Sequence, residues 1–240
     1  MRPSTPCTVF LLISTAMATG SGRQGSPPNR PWPPGVQAVL KESPVLSAAD
    51  ALKTFYMPPG YHLEMVASEP LVRDPILMDW DPEGRLWVVE MPGFVRDLQA
   101  LEPNLDPIGR VVVLEDTNND GTMDTRTAFA GGLVLPRALK VLDRGVLVAE
   151  PPNLWLMHDT NGDFRMDTKE LVTDTYGRRE ARVEQNANAL NWALDNRMYT
   201  ADGDVDLRLK DGKFEVRRTL TRGEWGVTHD YGGRVYRNTN

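Results

Sequence analysis

The hydrophobic pattern after Tyr61 consists of short apolar runs separated by turn residues, without the longer period of an amphipathic helix. Four of these runs lead into a turn that contains Asp with Gly or Asn, and a second apolar run with aromatic or branched residues follows each turn. Short strands joined by such turns indicate antiparallel hairpins. The pattern therefore predicts an all-β domain of repeated hairpins, whose first strands begin near Ile76, Leu139, Ala189 and Trp225.

An acidic loop follows the first two hairpins, and the two copies share the same spacing of polar residues. Oxygen ligands at alternate positions of a tight turn suit Ca²⁺. The first copy has Gly121 for the turn but Thr127 at the last ligand position, whereas the second has Glu170 there but Phe164 in place of the glycine. The alternative is that these are ordinary hairpin-turn residues. The predicted ligands are Asp116, Asn118, Asp120, Asp124, Asp159, Asn161, Asp163, Asp167 and Glu170.

A hairpin plus an acidic-loop hairpin makes a unit of four strands, and radial repetition of four-stranded sheets is the β-propeller architecture. The predicted blades are Ile76 to Leu133, Arg137 to Tyr176 and Asn188 to Leu220, with a fourth blade begun at Trp225. The sequence stops after the first hairpin of that fourth unit, so about three and a half blades are expected, as in a partial gene product.

The amino-terminal part differs from the repeats. Residues 1–20 have the short apolar core of a secretory signal peptide, too short to span a bilayer as a helix, and residues 21–42 are predicted to be a Pro/Gly/Ser-rich, disordered linker. A short helix is predicted from Ser47 to Tyr56, with Ser47 as its N-cap. The propeller domain is therefore assigned to 43–240, in a periplasmic or secreted protein.

Composition narrows the function without determining it. The chain has 240 residues and a net charge of −6, which argues against a nucleic-acid-binding surface. Its single cysteine is Cys7, so this chain has neither an internal disulfide nor a C-x-x-C-H haem-attachment motif.

Several segments together resemble the PVC-type "membrane-bound dehydrogenase" domain, which is similar to quinoprotein glucose/sorbosone dehydrogenase propellers. They are MPPGYHLEMVASEPLVRDP, DPEGRLWVVEM, LEDTNNDGTMD, the stretch from Arg182 to Val216, and TRGEWGVTHDYGGRVYRNTN. The resemblance covers 43–240. It implies oxidation of a sugar or polyol with a quinone cofactor such as PQQ, and transfer of the electrons to a c-type cytochrome.

The segment from Arg182 to Asn188 joins the second and third predicted blades, at an end of the ring where ligands bind. PQQ carries three carboxylates and needs cationic or amide donors and a flat side chain over its ring. The alternative for each candidate is a turn cap or a solvated charge. The predicted cofactor-binding residues are Arg182, Gln185, Asn186, Asn188, Arg222 and Trp225.

Alcohol oxidation also needs a general base, for which histidine is suited. The resemblance implies His at the position of Gln185, which cannot accept the proton. His229, with Asp230 beside it, is the remaining candidate, although a surface turn histidine is the alternative. Two other functions stay open: a non-catalytic, calcium-stabilised propeller that binds carbohydrate or protein, and a metal-dependent lactonase-like propeller.

Overall fold

The computed structural model describes residues 45–94, 105–179 and 185–238. One short helix, α1 (Ala48–Leu52), precedes the strands. The first sheet contains β1 (Pro75–Trp80), β2 (Leu86–Glu90), β3 (Gly109–Glu115) and β4 (Thr125–Leu133). The second contains β5 (Ala138–Leu142), β6 (Gly145–Glu150), β7 (Asn153–His158) and β8 (Thr168–Thr173). The third contains β9 (Asn188–Trp192), β10 (Arg197–Ala201), β11 (Gly203–Lys210) and β12 (Lys213–Arg222), and a hairpin of β13 (Val227–His229) and β14 (Val235–Arg237) follows.

Each of the three sheets is antiparallel, with its strands in sequence order. The prediction of an all-β domain built from four-stranded units is therefore confirmed, and the sheet boundaries lie within a few residues of the predicted ones. The closure of these units into a ring and the number of blades stay predictions.

The apolar runs form strands because alternate side chains of one strand enter two different cores. In β6, Val146 and Val148 pack into the core between the first and second sheets. Leu147 and Ala149 on the same strand pack into the core between the second and third sheets. The middle strands are thus buried on both faces, which explains why they are continuously apolar rather than alternating.

The hairpin turns are held by aspartates, as their sequence predicts. Asp81 Oδ1 accepts hydrogen bonds from backbone amides two and four residues further on, and its Oδ2 accepts one from the Trp87 indole at 3.0 Å. Asp230 does the same, with the Tyr236 hydroxyl in place of the indole. Burial acts to raise the pKa of Asp81, but these bonds and the Arg85 guanidinium hold it below its usual value.

The first strands of successive sheets lie side by side: β1 contacts β5, β5 contacts β9, and β9 contacts β13. The amide of Ala189, in β9, donates to the carbonyl of Arg137, just before β5, at 3.3 Å. These strands therefore start at the same end. We call the end where the first strands start the connection end, because the segments that follow even-numbered strands lie there. The opposite end carries the Asp turns and the acidic loops, and we call it the turn end.

The helix is shorter than predicted. Ser47 is its N-cap and accepts a hydrogen bond from the Asp50 amide at 3.1 Å, but α1 ends at Leu52 rather than Tyr56. None of its residues is buried, and a short helix without packing is marginal in water. Across the described ranges, no helix has the length and apolar character needed to cross a membrane. The predicted signal peptide and linker lie outside the described residues.

Candidate functional site

The acidic loops lie at the turn end and share one backbone conformation. In the first, Asp116 Oδ2 accepts a hydrogen bond from the Gly121 amide at 2.8 Å. In the second, Asp159 Oδ2 accepts the equivalent bond from the Phe164 amide, also at 2.8 Å. Phe164 adopts the left-handed φ of 58° that the sequence suggested only glycine would supply. Its ring lies under the Arg85 guanidinium at 4.6 Å, and this packing offsets the conformational cost.

The carboxylates of these loops are engaged by the loops themselves. Asp124 accepts hydrogen bonds from the Thr117 amide and hydroxyl, and Asp167 accepts them from Thr160. Burial acts to raise the pKa of Asp159, but the backbone amides outweigh it and hold that pKa below its usual value.

The remaining predicted ligands divide between the loops and a strand. Asn118, Asp120, Asn161 and Asp163 each accept a bond from an amide two residues further on. Glu170 lies within β8, where its Oε1 is 3.8 Å from His158 Nε2. Within the described ranges, no three His, Cys, Asp or Glu side chains are grouped as a metal site. Calcium binding stays a prediction.

A polar cavity of about 470 Å³ lies at the connection end, between the second and third sheets. Among the described residues, its lining includes no aromatic and no large aliphatic side chain. We call it the polar cavity; its charged and amide side chains are those of Asp174, Arg178, Gln185, Asn186, Asp202, Asp204 and Arg218. Arg182, predicted to belong here, falls in 180–184, outside the described residues.

Asn186 holds the wall of the polar cavity. Its Oδ1 accepts hydrogen bonds from the amides of Arg178 and Ala187 at 3.0 Å each, and its Nδ2 donates to the Arg178 carbonyl at 2.5 Å. Gly177, with φ of 75°, lies so close that a Cβ there would be 2.4 Å from Asn186 Oδ1. The amide of Asn186 therefore fixes this loop.

Asn188 likewise holds backbone groups, in this case those of the segment between β12 and β13. Its Nδ2 donates to the carbonyls of Asn186 (3.1 Å) and Glu224 (2.7 Å), and its Oδ1 accepts from the Gly226 amide (3.0 Å). These bonds hold the segment that carries Trp225. The Trp225 ring in turn lies 5.4 Å from the guanidinium of buried Arg137.

Asp202 is the carboxylate of the polar cavity that differs most from the turn aspartates. It has a left-handed φ of 45°, and its amide donates to the Arg222 carbonyl at 2.9 Å. No described residue donates a hydrogen bond to its half-buried carboxylate. Burial raises the pKa of Asp202, against the opposing effect of the Arg178 and Arg137 charges.

A second cavity, of about 360 Å³, lies between the first strands of the three sheets and β13. We call it the axial cavity. Each strand contributes one polar side chain to it, and these pair across strands. Lys140 Nζ is 3.0 Å from Asp79 Oδ2, and Asn191 Nδ2 is 3.0 Å from His229 Nδ1.

A β-bulge brings both asparagines of β9 to the same side. Asn188 and Asn191 are separated by an odd number of positions, which in a regular strand places them on opposite faces. Ala189 instead has φ of 63°, and the register with β10 shifts between the partners of these two residues. The extra residue turns both side chains toward β13.

Three of the predicted cofactor-binding and catalytic residues line one of the two cavities. Gln185 and Asn186 line the polar cavity, whereas His229 lines the axial cavity. Asp230, predicted to assist His229, caps the β13–β14 turn with both carboxylate oxygens, and backbone hydrogen bonds hold its pKa below the usual value. Arg222 has an exposed side chain. The catalytic and cofactor-binding roles of these residues stay predictions.

The described residues do not fit a tricarboxylate quinone inside the polar cavity. The amide of Asn186 and that of Asn188 are occupied by backbone groups. The cavity also contains three aspartates, Asp174, Asp202 and Asp204, whose charges would repel the three carboxylates of the cofactor.

Sequence reasoning missed Asp202 and the axial residues Asp79, Lys140 and Asn191. A signal for the axial residues is present, since each is a polar residue inside the apolar run of a first strand. Asp202 has no such signal, because Asp before Gly is typical of any turn.

Comparison with known proteins identifies a family but no activity. No curated protein matches the chain. Among solved structures, a luciferin-regenerating enzyme matches with 11% sequence identity and a TM-score of 0.42, covering 63% of this chain. The chain spans 47% of that structure's length. Residues 47–240 match the model of a family described as a domain of unknown function, DUF7133, and the chain belongs to that family.

Proposed function

We propose that the chain is part of a β-propeller whose polar cavity binds a small hydroxyl-rich molecule, a sugar or polyol. The propeller is supported by the three four-stranded antiparallel sheets in sequence order, with their first strands side by side. In a propeller, such sheets are arranged around a central axis with their first strands nearest to it, and ligands bind near that axis.

The observation that carries the ligand class is the chemistry of the polar cavity. Its polar groups are the planar carboxylates, guanidinium and amide groups that bind adjacent hydroxyls with two hydrogen bonds. The described part of its lining offers no aromatic face for a flat ring and no apolar floor for a lipid-like ligand. A hydroxyl-rich molecule of a few carbons satisfies both the acceptors and the donors.

The finer proposal is oxidation of the bound molecule in an exported protein, with a quinone accepting the electrons and a c-type cytochrome receiving them. Its support is the set of motifs that resemble quinoprotein propellers. The described residues bind and orient the hydroxyl compound, and no step through the quinone is derived from them.

Binding is tested by calorimetric titration of the purified chain with sorbitol and with glucose. Arg178→Ala and Gln185→Ala each remove a donor from the polar cavity and should weaken binding by about tenfold, since a hydrogen bond contributes about 1 kcal/mol or more. Arg165→Ala is the matched control, because Arg165 is exposed in the acidic loop at the turn end. Absence of binding by the unmodified chain would overturn the proposal, as would equal affinities for all variants.

The oxidation proposal has its own assay. PQQ and Ca²⁺ are added to the chain, and reduction of a redox dye is followed with glucose or sorbitol as electron donor. His229→Gln and Asp79→Asn test whether the axial cavity takes part in the reaction, because both residues line that cavity and neither lines the polar cavity. Dye reduction that His229→Gln abolishes would support the imidazole as the base; sugar binding without any dye reduction would support the binding function alone.

Calcium binding by the acidic loops is tested independently of the sugar. If the loops bind Ca²⁺, the melting temperature rises with Ca²⁺ and falls with a chelator, and Asp120→Ala with Asp163→Ala abolishes the difference. An identical melting temperature in Ca²⁺ and in chelator would leave the aspartates as turn caps.

A further inference from the structure

Asp202 is held in place by its own turn rather than by partners of its carboxylate. Its amide donates to the Arg222 carbonyl at 2.9 Å. The next residue, Gly203, lies so close to β10 that a Cβ there would be 2.6 Å from Thr200 Oγ1. The backbone that carries Asp202 therefore has little room to move.

The other two carboxylates of the polar cavity are differently placed. Asp204 is ion-paired with Arg218, and Asp174 is exposed. Asp202 alone combines partial burial with a carboxylate that no described residue bonds. A half-buried carboxylate with unused acceptor sites in a cavity is suited to receive hydrogen bonds from a ligand.

We infer that Asp202 is the ligand-binding carboxylate of the polar cavity, which in its ionised form accepts hydrogen bonds from a hydroxyl, or two adjacent hydroxyls, of the bound sugar or polyol. The inference rests on the proposed function of this cavity. The Arg178 guanidinium lies near enough to interact electrostatically with Asp202, and it lines the same cavity, where its N–H groups are donors for ligand oxygens.

The binding is pH dependent. Among the described residues, the charged groups around Asp202 are Arg137, Arg178 and Arg218 with Asp174 and Asp204. Burial raises the pKa of Asp202 above 3.8, so the carboxylate protonates at a higher pH than an exposed aspartate. Protonation removes its negative charge and turns one of its oxygens into a donor, which weakens its bonds to ligand hydroxyls. Because the ligand binds the ionised form, its binding lowers this pKa and releases protons at pH values close to it.

The test uses the full chain and sorbitol, titrated calorimetrically from pH 4 to pH 8 in buffers of different ionisation enthalpy. Asp202→Asn keeps the side-chain shape, and asparagine tolerates a left-handed φ, so the fold is retained. We expect about 10- to 100-fold weaker binding at pH 7, as for the loss of a hydrogen bond to a charged group, and no dependence on pH. Asp204→Asn is the control that should keep the pH dependence.

Carbon-13 NMR of the aspartate carboxyls provides a second readout that needs no ligand. The carboxyl signal that is absent from the Asp202→Asn spectrum belongs to Asp202. Its pKa should lie above 3.8 and should decrease when sorbitol is added. Sorbitol binding that is unchanged by Asp202→Asn would overturn this inference and leave the proposed function intact. No sorbitol binding by the unmodified chain would overturn both.

Discussion

Replacement of Asn188 by alanine should destabilise the protein because this side chain links three backbone groups. It is 1% exposed, donates to the carbonyls of Asn186 and Glu224, and accepts from the Gly226 amide. Each net hydrogen bond contributes about 0.5–1.5 kcal/mol, and buried groups left unpaired cost more. Removing the three bonds should lower the free energy of unfolding by about 2–4 kcal/mol.

The measurement is urea denaturation followed by circular dichroism, with Asn191→Ala as the matched control. Asn191 lies on the same strand but is half-buried and makes one side-chain hydrogen bond, to His229. Its removal should cost about 0.5–1.5 kcal/mol. Asn188→Asp should destabilise at pH 7, since an acceptor then faces two carbonyl oxygens, and less so at pH 4, where protonation restores a donor.

A loss smaller than about 0.5 kcal/mol for Asn188→Ala would refute this reasoning, because surface substitutions have effects of that size. It would mean that water replaces all three bonds, and that Asn188 is available to a ligand as the sequence predicts. Destabilisation of the expected size would identify Asn188 as a residue that supports the loop around Trp225.

Three further substitutions test the packing, the loop and the turns. Leu147→Ala should lower the free energy of unfolding, measured by urea denaturation, by about 2–5 kcal/mol, because Leu147 is fully buried between the second and third sheets. Leu220→Ala is the control: this side chain is 70% exposed, and its removal should change stability by less than about 0.5 kcal/mol. Gly177→Ala should destabilise more than Gly84→Ala: both glycines have positive φ, but only at position 177 does the added Cβ meet a neighbour, and equal losses would exclude the contact as the cause. Asp81→Asn should flatten the acid dependence of stability. The pKa of Asp81 is lowered in the folded state, so its contribution is present above the unfolded-state value near 3.8 and is lost as the pH falls below it; an unchanged acid profile would contradict this.

The sheets were predictable because their signals are local. A turn aspartate, the glycine or asparagine after it, and the apolar runs on both sides all lie within about ten residues, and their preferences agree. The same locality explains the error in the helix, whose capping residues are correct but whose length depends on packing that the sequence does not reveal.

The site was predictable only in part. The segment around Gln185 and Asn186 was expected to lie near a ligand, and these residues line the polar cavity. The expectation that Asn186 and Asn188 bind a cofactor did not anticipate that both side chains hold the backbone of neighbouring loops. An asparagine side chain can either cap a backbone turn or donate to a ligand, and only its surroundings in the folded protein distinguish these two roles.

The sequence by itself determined the strand-and-turn repeat, because hydrogen bonds within hairpins join residues that are close along the chain. Tertiary structure decided which side chains meet. Lys140 reaches Asp79 across 61 positions, and the bulge at Ala189 turns Asn188 and Asn191 to one side against the strand period. The cavities are therefore products of how sheets stack, and the burial that sets Asp202 apart exists only once the second and third sheets pack together.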